Sequence, residues 1–154
     1  MERIAVFPGS FDPFTTGHES IVKRFLPLFD KIIIAIGVNS HKNSFFPLEK
    51  RKEWIRSAFQ NYPQIVVDDF TGLTIDYCHK VGAKYILRGL RTTTDLEFEK
   101  AIAQMNKSMA DDIETLFILP TPELSAINST IIRDIVRNGG DASRFVPAGT
   151  DLKL

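Results

Sequence analysis

A short segment near the N-terminus, Thr15-Thr16-Gly17-His18, carries the residue types expected of a phosphate site. It ends a loop rich in glycine and proline and opens a helical pattern, whose first N–H groups and dipole would attract an anion. Gly17 leaves space for a ligand beside the backbone, and the imidazole of His18 can donate to a phosphoryl oxygen. The segment therefore predicts phosphate binding, although a turn with a capping threonine and an incidental surface histidine would contain the same residues.

Cationic side chains follow two later apolar runs of the chain. Lys42 could reach a substrate phosphate as a mobile point charge, whereas a solvated loop lysine is the commoner situation. Arg88 and Arg91 lie close in the chain with Gly89 between them, so both guanidinium groups could bind one polyphosphate. Charge-assisted hydrogen bonds of this kind contribute roughly 1.5–3 kcal/mol each. Two surface arginines paired with carboxylates would explain the same spacing equally well.

A third polar segment, Asn128-Ser129-Thr130, precedes an apolar helical pattern near the C-terminus. A single residue with a side-chain hydroxyl or amide group is enough to cap a helix. Three such residues in a row therefore favour a second helix N-terminus that binds phosphate. The alternative is that Asn128 or Ser129 acts only as a cap.

These segments follow short apolar runs that alternate with amphipathic stretches. In these runs both the odd and the even positions are aliphatic, and in a strand such positions point to opposite faces. The runs therefore predict parallel strands buried on both faces, at residues 4–7, 32–38, 65–67, 85–87 and 116–119. The alternation indicates an α/β fold, a doubly wound five-stranded parallel sheet with helices on both faces, in a single domain over residues 1–154. Because ligands bind beyond the carboxyl ends of such strands, the polar segments are expected to meet at one crevice.

Helical spacing recurs in two of the amphipathic stretches, at Leu48, Lys52, Ile55 and Phe59 and at Phe98, Ile102, Met105 and Met109. Pro27 is expected to end or bend the first helix near Leu26, because proline lacks an N–H and clashes with the preceding turn. The last helix is predicted over residues 129–138, where Gly139 can stop it in the left-handed conformation.

The bulk composition, with 44% apolar and 25% charged residues, is that of a soluble globular protein. Its 19 basic residues balance 19 acidic ones, which argues against a nucleic-acid partner. The single cysteine, Cys78, excludes an internal disulfide and fits a reducing cytoplasm, and no further cluster completes a metal site with His79. No segment approaches the roughly 20 apolar residues of a membrane span, and no signal peptide is evident. We therefore expect a cytoplasmic protein without a membrane partner.

Several common active-site motifs are absent from the chain. It has no G-x-G-x-x-G after the first apolar run, no G-x-x-x-x-G-K-(S/T) and no G-x-S-x-G. These absences argue against a dinucleotide oxidoreductase, a P-loop protein and a hydrolase with a nucleophile elbow. The remaining interpretation is a phosphate site made of helix ends, one imidazole, two arginines and one lysine.

The polar segments resemble the two signatures of the nucleotidyltransferase superfamily, (H/T)-x-G-H and I-S-(S/T)-(S/T)-x-x-R. Thr15-Thr16-Gly17-His18 matches the first, and Ile127-Asn128-Ser129-Thr130-Ile131-Ile132-Arg133 matches the second with asparagine in place of one serine. Further segments are similar to bacterial phosphopantetheine adenylyltransferases over nearly the whole chain, at Gly9-Ser10-Phe11-Asp12-Pro13, Leu87-Arg88-Gly89-Leu90-Arg91, Asp95-Leu96-Glu97-Phe98-Glu99, Met105-Asn106 and Phe145-Val146-Pro147.

This resemblance implies a Rossmann-like fold and the conversion of ATP and 4'-phosphopantetheine to dephospho-coenzyme A and pyrophosphate. It implies that His18 stabilises the transition state and that Ser10 contacts both substrates. The pantetheine substrate would be bound by Lys42, Thr74 and Arg88. The ATP site would be lined by Ser10, Phe11, His18, Gly89, Leu90, Arg91, Glu99, Leu124, Ser125, Ala126, Ile127, Asn128, Ser129 and Thr130. The resemblance also implies Mg²⁺ carried mainly by ATP, a homohexamer, and coenzyme A as a feedback inhibitor.

The chain departs from the family pattern at Ser10, where threonine is usual, and at Phe7, where tyrosine is common. Leu124 stands in place of a frequent tryptophan, so adenine would lose an aromatic contact. Three other functions remain open at this point. They are a sister enzyme with another acceptor (nicotinamide mononucleotide, or glycerol phosphate with CTP), a non-catalytic nucleotide sensor, and a flavoprotein.

Overall fold

Five parallel strands form one sheet, in the order β3-β2-β1-β4-β5, in a computed structural model that describes residues 1–153. The strands are β1 (Ile4–Gly9), β2 (Lys31–Gly37), β3 (Ile65–Phe70), β4 (Tyr85–Gly89) and β5 (Glu114–Ile118). Every neighbouring pair in the sheet is parallel. The predicted α/β fold with a five-stranded parallel sheet is confirmed.

Within residues 1–153, five α-helices connect or follow the strands: α1 (Thr16–Phe25), α2 (Leu48–Ala58), α3 (Thr74–Val81), α4 (Thr93–Met109) and α5 (Ser129–Arg137). Short 3-10 turns lie at Leu26–Leu28, Pro122–Leu124 and Ser143–Phe145. As predicted from Pro27, α1 ends at Phe25 and the chain continues in a 3-10 turn. Gly139, with a φ of 78°, follows α5 in the predicted left-handed conformation. None of the helices within residues 1–153 has the length and hydropathy needed to cross a membrane.

Side chains of the central strands alternate between two cores, one on each face of the sheet. In β2, Ile32 and Ile34 pack with residues of α1 and α2, whereas Ile33 packs with residues of α3. Each fully buried aliphatic side chain stabilises the fold by about 1.5–3 kcal/mol. The helices therefore cover both faces, as the aliphatic residues on both parities predicted.

The prediction of full burial on both faces is wrong for the edge strands. Within β3, Val66 is 37% exposed, and β5 has no fully buried residue. The apolar side of α4 is also open to solvent in the isolated chain, since Phe98 is 67% and Met105 is 63% exposed. An edge strand has a neighbour on one side only, so its apolar composition does not by itself ensure burial.

The sheet opens at the carboxyl end of β1. Ala5 and Val6 pair with β4, but beyond Val6 the strand pairs only with β2, up to Gly9 opposite Ile36. Pro8 has no N–H to offer a second neighbour. Because successive connections diverge to opposite sides of β1, this is the crevice at which an open α/β sheet binds ligands.

Candidate active site

A cleft of about 300 Å³ lies above the divergence of β1 and β4. Its wall brings together residues from the loops after β1, β4 and β5, as the crevice prediction required. Twelve of the predicted site residues line it: Ser10, Phe11, His18, Arg88, Gly89, Arg91, Glu99, Leu124, Ile127, Asn128, Ser129 and Thr130. Residues more than 100 positions apart in the sequence, such as His18 and Ser129, thus share one cavity.

The imidazole of His18 belongs to the cap of α1. The hydroxyl oxygen of Thr15 accepts from the His18 main-chain N–H at 3.2 Å, and the Thr15 main-chain N–H donates to Nδ1 of His18 at 3.0 Å. Since a backbone N–H can only donate, Nδ1 must be the unprotonated nitrogen. The proton of the neutral ring is therefore on Nε2, which makes Nε2–H a hydrogen-bond donor in the cleft.

Three phenylalanine rings hold the imidazole in place. The ring centroid of His18 lies 6.2 Å from that of Phe7, 5.0 Å from Phe11 and 5.2 Å from Phe14. Burial, together with the positive charges of Arg88 and Arg91, lowers the pKa of His18 from 6.5 to about 3. The ring is therefore neutral at physiological pH and offers a dipolar N–H, not a charge, to an anion.

Arg88 is paired with a carboxylate, as one of the two sequence interpretations allowed. Its Nε and Nη2 donate to the Glu99 carboxylate at 3.0 and 2.5 Å, and its Nη1 donates to the Pro8 carbonyl at 2.6 Å. The Glu99 side chain is only 12% exposed. Arg88 and Glu99 therefore act as one oriented unit, and both also line a neighbouring pocket on the α4 side.

Arg91 is held less firmly than Arg88. Its Nε lies 3.7 Å from the Asp95 carboxylate, its Nη1 donates to the Ile127 carbonyl at 3.4 Å, and its side chain is 41% exposed. The guanidinium therefore retains donors that can turn toward a ligand at the mouth of the cleft.

The N-terminus of α5 also faces the cleft, but its polar side chains are already engaged. Asn128 caps the helix, because its Oδ1 accepts from the Ile131 N–H at 2.9 Å. The Ser129 hydroxyl donates to the Pro13 carbonyl at 2.7 Å, and the Thr130 hydroxyl accepts from Arg133 at 3.2 Å. What remains for an anion is the first-turn N–H groups and the helix dipole.

The other five predicted residues, which are Lys42, Thr74, Leu90, Ser125 and Ala126, do not line the cleft that contains His18. Lys42 lines a second pocket and Thr74 a third. The exposed Ser10 lines the cleft and both of these pockets. Leu90, Ser125 and Ala126 do not line the cleft. Leu90 is buried and its N–H donates to Ile118, while the Ser125 hydroxyl donates back to Pro122. Their contact with ATP stays a prediction.

The structure adds cleft residues that the sequence reasoning did not assign to the site. Among them are Asp95, which contacts Arg91, and Arg133, whose Nη1 donates to the Asp12 carbonyl at 2.8 Å. Arg133 is the last residue of the second signature, so its position was a signal. Asp95 belongs to the segment Asp95-Leu96-Glu97-Phe98-Glu99, whose resemblance to the family was the available signal. Its contact with Arg91, which precedes the first turn of α4, was not predicted.

Comparison with known proteins agrees with this geometry. Residues 6–135 match the profile of the cytidylyltransferase-like family. The chain is 54% identical to phosphopantetheine adenylyltransferase of Flavobacterium psychrophilum, over 98% of this chain and 99% of that protein. It is 50% identical to the enzyme of the same name from Cytophaga hutchinsonii, over 96% and 98% of the two chains.

Solved structures with low sequence identity share the fold. A bifunctional NMN adenylyltransferase/ADP ribose pyrophosphatase from Francisella tularensis, in complex with AMP and a manganese ion, superposes with a TM-score of 0.72 at 20% identity. The match covers 97% of this chain and 45% of that longer one. A Vibrio parahaemolyticus protein assigned as a nicotinate-nucleotide adenylyltransferase gives a TM-score of 0.72 at 19% identity, over 95% and 94% of the chains.

The near full-length identity to curated relatives and the family profile agree with the two signatures, whose residues meet in one cleft. The chain therefore belongs to the phosphopantetheine adenylyltransferase family and is a nucleotidyltransferase.

Proposed function

We propose that this chain, as one domain over residues 1–154, transfers AMP from ATP to 4'-phosphopantetheine, giving dephospho-coenzyme A and pyrophosphate. The reaction is a direct in-line attack by the acceptor's phosphate oxygen on the α-phosphorus, without a covalent enzyme intermediate. The observation that carries the proposal is the convergence of His18, Arg91 and the N-terminus of α5 on one cleft. The names of the curated relatives support the choice of substrates.

The protein's task in such a reaction is positioning and charge stabilisation, because the acceptor phosphate is already a nucleophile. The bond from that oxygen to the α-phosphorus forms as the bond to the pyrophosphate oxygen breaks. We assign the His18 Nε2–H and the N–H groups at the start of α1 to the α-phosphate oxygens. A preorganised donor of this kind costs no reorganisation when negative charge builds up.

The leaving pyrophosphate would be bound at the opposite wall. Arg91 has free donors there, and the main-chain N–H groups of Ser129 and Thr130, in the first turn of α5, have no acceptor within the helix. Since the hydroxyl of Ser129 is committed to Pro13, we assign its backbone N–H to the β- and γ-phosphates. The adenosine would lie toward Leu124 and Ile127, which also line the cleft.

The acceptor would extend from the cleft past Ser10 into the neighbouring spaces. Arg88, oriented by Glu99, and the exposed Lys42 would bind its phosphate from two sides. Thr74 lines a pocket with apolar partners, including Phe70 and Ile102, which suits an uncharged amide arm. Ser10, shared by all three spaces, is placed to contact both substrates.

Mg²⁺ would enter the site with ATP and not through a protein cage. The cleft's carboxylates, Asp95 and Glu99, are already engaged with Arg91 and Arg88, and within residues 1–153 no group of acidic, histidine or cysteine side chains could hold a metal ion. The ion supplies charge neutralisation on the phosphates when bound there.

The test is pyrophosphate release with Mg²⁺-ATP across a panel of acceptors. We expect turnover with 4'-phosphopantetheine and none with nicotinamide mononucleotide, or with glycerol phosphate and CTP. Tight ATP binding without pyrophosphate release would instead identify a nucleotide sensor. With ATP made chiral at the α-phosphorus by a sulfur atom, a single displacement inverts the configuration, and retention would reveal a covalent intermediate.

We also propose a homohexamer, a cytoplasmic location and occupation of the cleft by coenzyme A as a feedback inhibitor. The exposed apolar side of α4, where Phe98 is 67% exposed, supports self-association, because apolar surface of this kind usually marks an interface. Light scattering should give the mass of six chains, and coenzyme A should compete with ATP in an equilibrium binding assay.

A further inference from the structure

We propose that Arg51 is a positioning residue that sets the place of the Lys42 loop, residues 38–47, relative to the turn at Ser10. The inference rests on the proposed function, in which the acceptor phosphate lies between these two segments. Arg51 is on α2, it is only 5% exposed, and it does not line the cleft that contains His18. It does line the Lys42 pocket, but its guanidinium donates to three protein acceptors, two main-chain carbonyls and one serine hydroxyl. It therefore acts through the segments that carry these acceptors.

The Arg51 guanidinium joins two separate segments. Its Nη1 donates to the Ser10 carbonyl at 2.7 Å, which fixes the turn after β1. Its Nε donates to the Phe46 carbonyl and its Nη2 to the Ser44 hydroxyl, each at 3.0 Å, which fixes the end of the Lys42 loop. The three bonds leave from three different nitrogens of one planar group. The three donors of a lysine ammonium all start from a single nitrogen, which does not match acceptors spread around a guanidinium.

Asp12, in the turn after β1, also binds the Lys42 loop. It is 6% exposed, and its carboxylate oxygens accept from the N–H groups of Phe45 at 2.7 Å and Phe46 at 2.8 Å. Its main-chain carbonyl accepts from Arg133 on α5. The turn after β1 is thus tied to α5 independently of Arg51. The Lys42 loop is held at its start by the Val38 N–H, which donates to Phe70. Within residues 1–153, the side-chain hydrogen bonds that tie its other end to the rest of the chain come from Arg51 and Asp12.

Burial of this guanidinium is costly because none of the ion pairs among the described residues includes it. Burial accordingly lowers the pKa of Arg51, an effect that the nearby Asp12 charge opposes. An apolar side chain would fill the same volume without this desolvation. A cation at this position is therefore explained by the three acceptors that it places.

The experiment compares Arg51→Lys and Ser44→Ala with the wild-type full chain, with Ile55→Val on the same helix as a control for lost stability. Ser44 is exposed, so its substitution leaves the core intact. Loosening the Lys42 loop should raise the KM for 4'-phosphopantetheine by about tenfold in Arg51→Lys, and less in Ser44→Ala, with the KM for ATP unchanged within about twofold. Ile55→Val should change neither KM.

A second readout does not depend on activity. Trp54, the chain's one tryptophan, is 7% exposed and its ring lies 5.2 Å from that of Phe46. Movement of the loop should therefore make Trp54 more accessible to acrylamide quenching in Arg51→Lys and Ser44→Ala, but not in Ile55→Val.

The outcomes separate this inference from the proposed function. An inactive wild-type protein with 4'-phosphopantetheine would refute the proposed function, and quenching alone would then decide whether Arg51 holds the loop. An active wild type whose Arg51→Lys and Ser44→Ala variants show equal changes in both KM values, or no change, would overturn the role of Arg51. Unchanged quenching in both variants would overturn it as well.

Discussion

The main-chain N–H of Thr15 donates to Nδ1 of His18 at 3.0 Å, so the backbone itself selects the tautomer of the histidine at the centre of the cleft. The same histidine completes the cap of α1, and the helix end and the imidazole are consequently fixed by one pair of residues. A phosphate bound there would meet a donor that is already oriented.

Removal of this donor should slow turnover more than it weakens ATP binding. For His18→Ala we expect kcat to fall on the order of 10²-fold or more, as is typical for loss of one donor to a developing charge. The Kd for ATP, measured by calorimetry, should change little. A circular dichroism spectrum like that of the wild type is the control for folding, and unchanged turnover would remove His18 from the mechanism.

The lowered pKa of His18 predicts how stability depends on pH. The unfolded chain takes up a proton at His18 below pH 6.5, whereas the folded chain does so only near pH 3. Stability from this group is thus fully present above pH 6.5 and is lost as the pH falls toward 3. Between about pH 7 and pH 5, urea unfolding should show a larger loss of free energy for the wild type than for His18→Gln. An equal loss in the two proteins would contradict the lowered pKa.

Arg91 is predicted to bind ATP and not to hold the fold together. Its contacts in the free protein are long and its side chain is 41% exposed, so Arg91→Ala should unfold at nearly the wild-type temperature. Loss of a charge-assisted bond to phosphate should raise the Kd for ATP by about tenfold or more. Arg56→Ala, at an exposed position on α2, is the matched control and should bind ATP normally. Equal affinities in the two variants would place Arg91 outside the site.

Gly17→Ala tests whether a phosphate approaches the backbone at the start of α1. A β-carbon at Gly17 would meet nothing closer than the Thr15 hydroxyl, at 3.4 Å, so the folded chain can accept it. Since alanine favours a helix more than glycine does, the Tm should stay equal or rise. The methyl group would nevertheless lie beside the cleft, and the Kd for ATP should increase severalfold. Normal ATP affinity would show that no ligand comes close to Gly17.

Local patterns determined a large part of this fold. Aliphatic runs on both parities predicted the parallel sheet, Pro27 predicted the end of α1, and Gly139 the end of α5, because each depends on short-range backbone constraints. The exposure of β3 and of the apolar side of α4 could not be predicted in this way. It depends on which strands lie at the edge of the sheet, and sequence periodicity does not give strand order.

The sequence by itself determined that a glycine- and proline-rich turn, an arginine pair and a polar helix start each follow a strand. Since parallel strands place their carboxyl ends on one edge of the sheet, it also determined that these segments lie at the same edge. Only the tertiary structure decided what each side chain does there. It paired Arg88 with Glu99, left Arg91 more open, and placed the proton of His18 on Nε2. The physical reason is that hydrogen-bond partners and burial are set by residues distant in the chain, and these fix protonation and orientation.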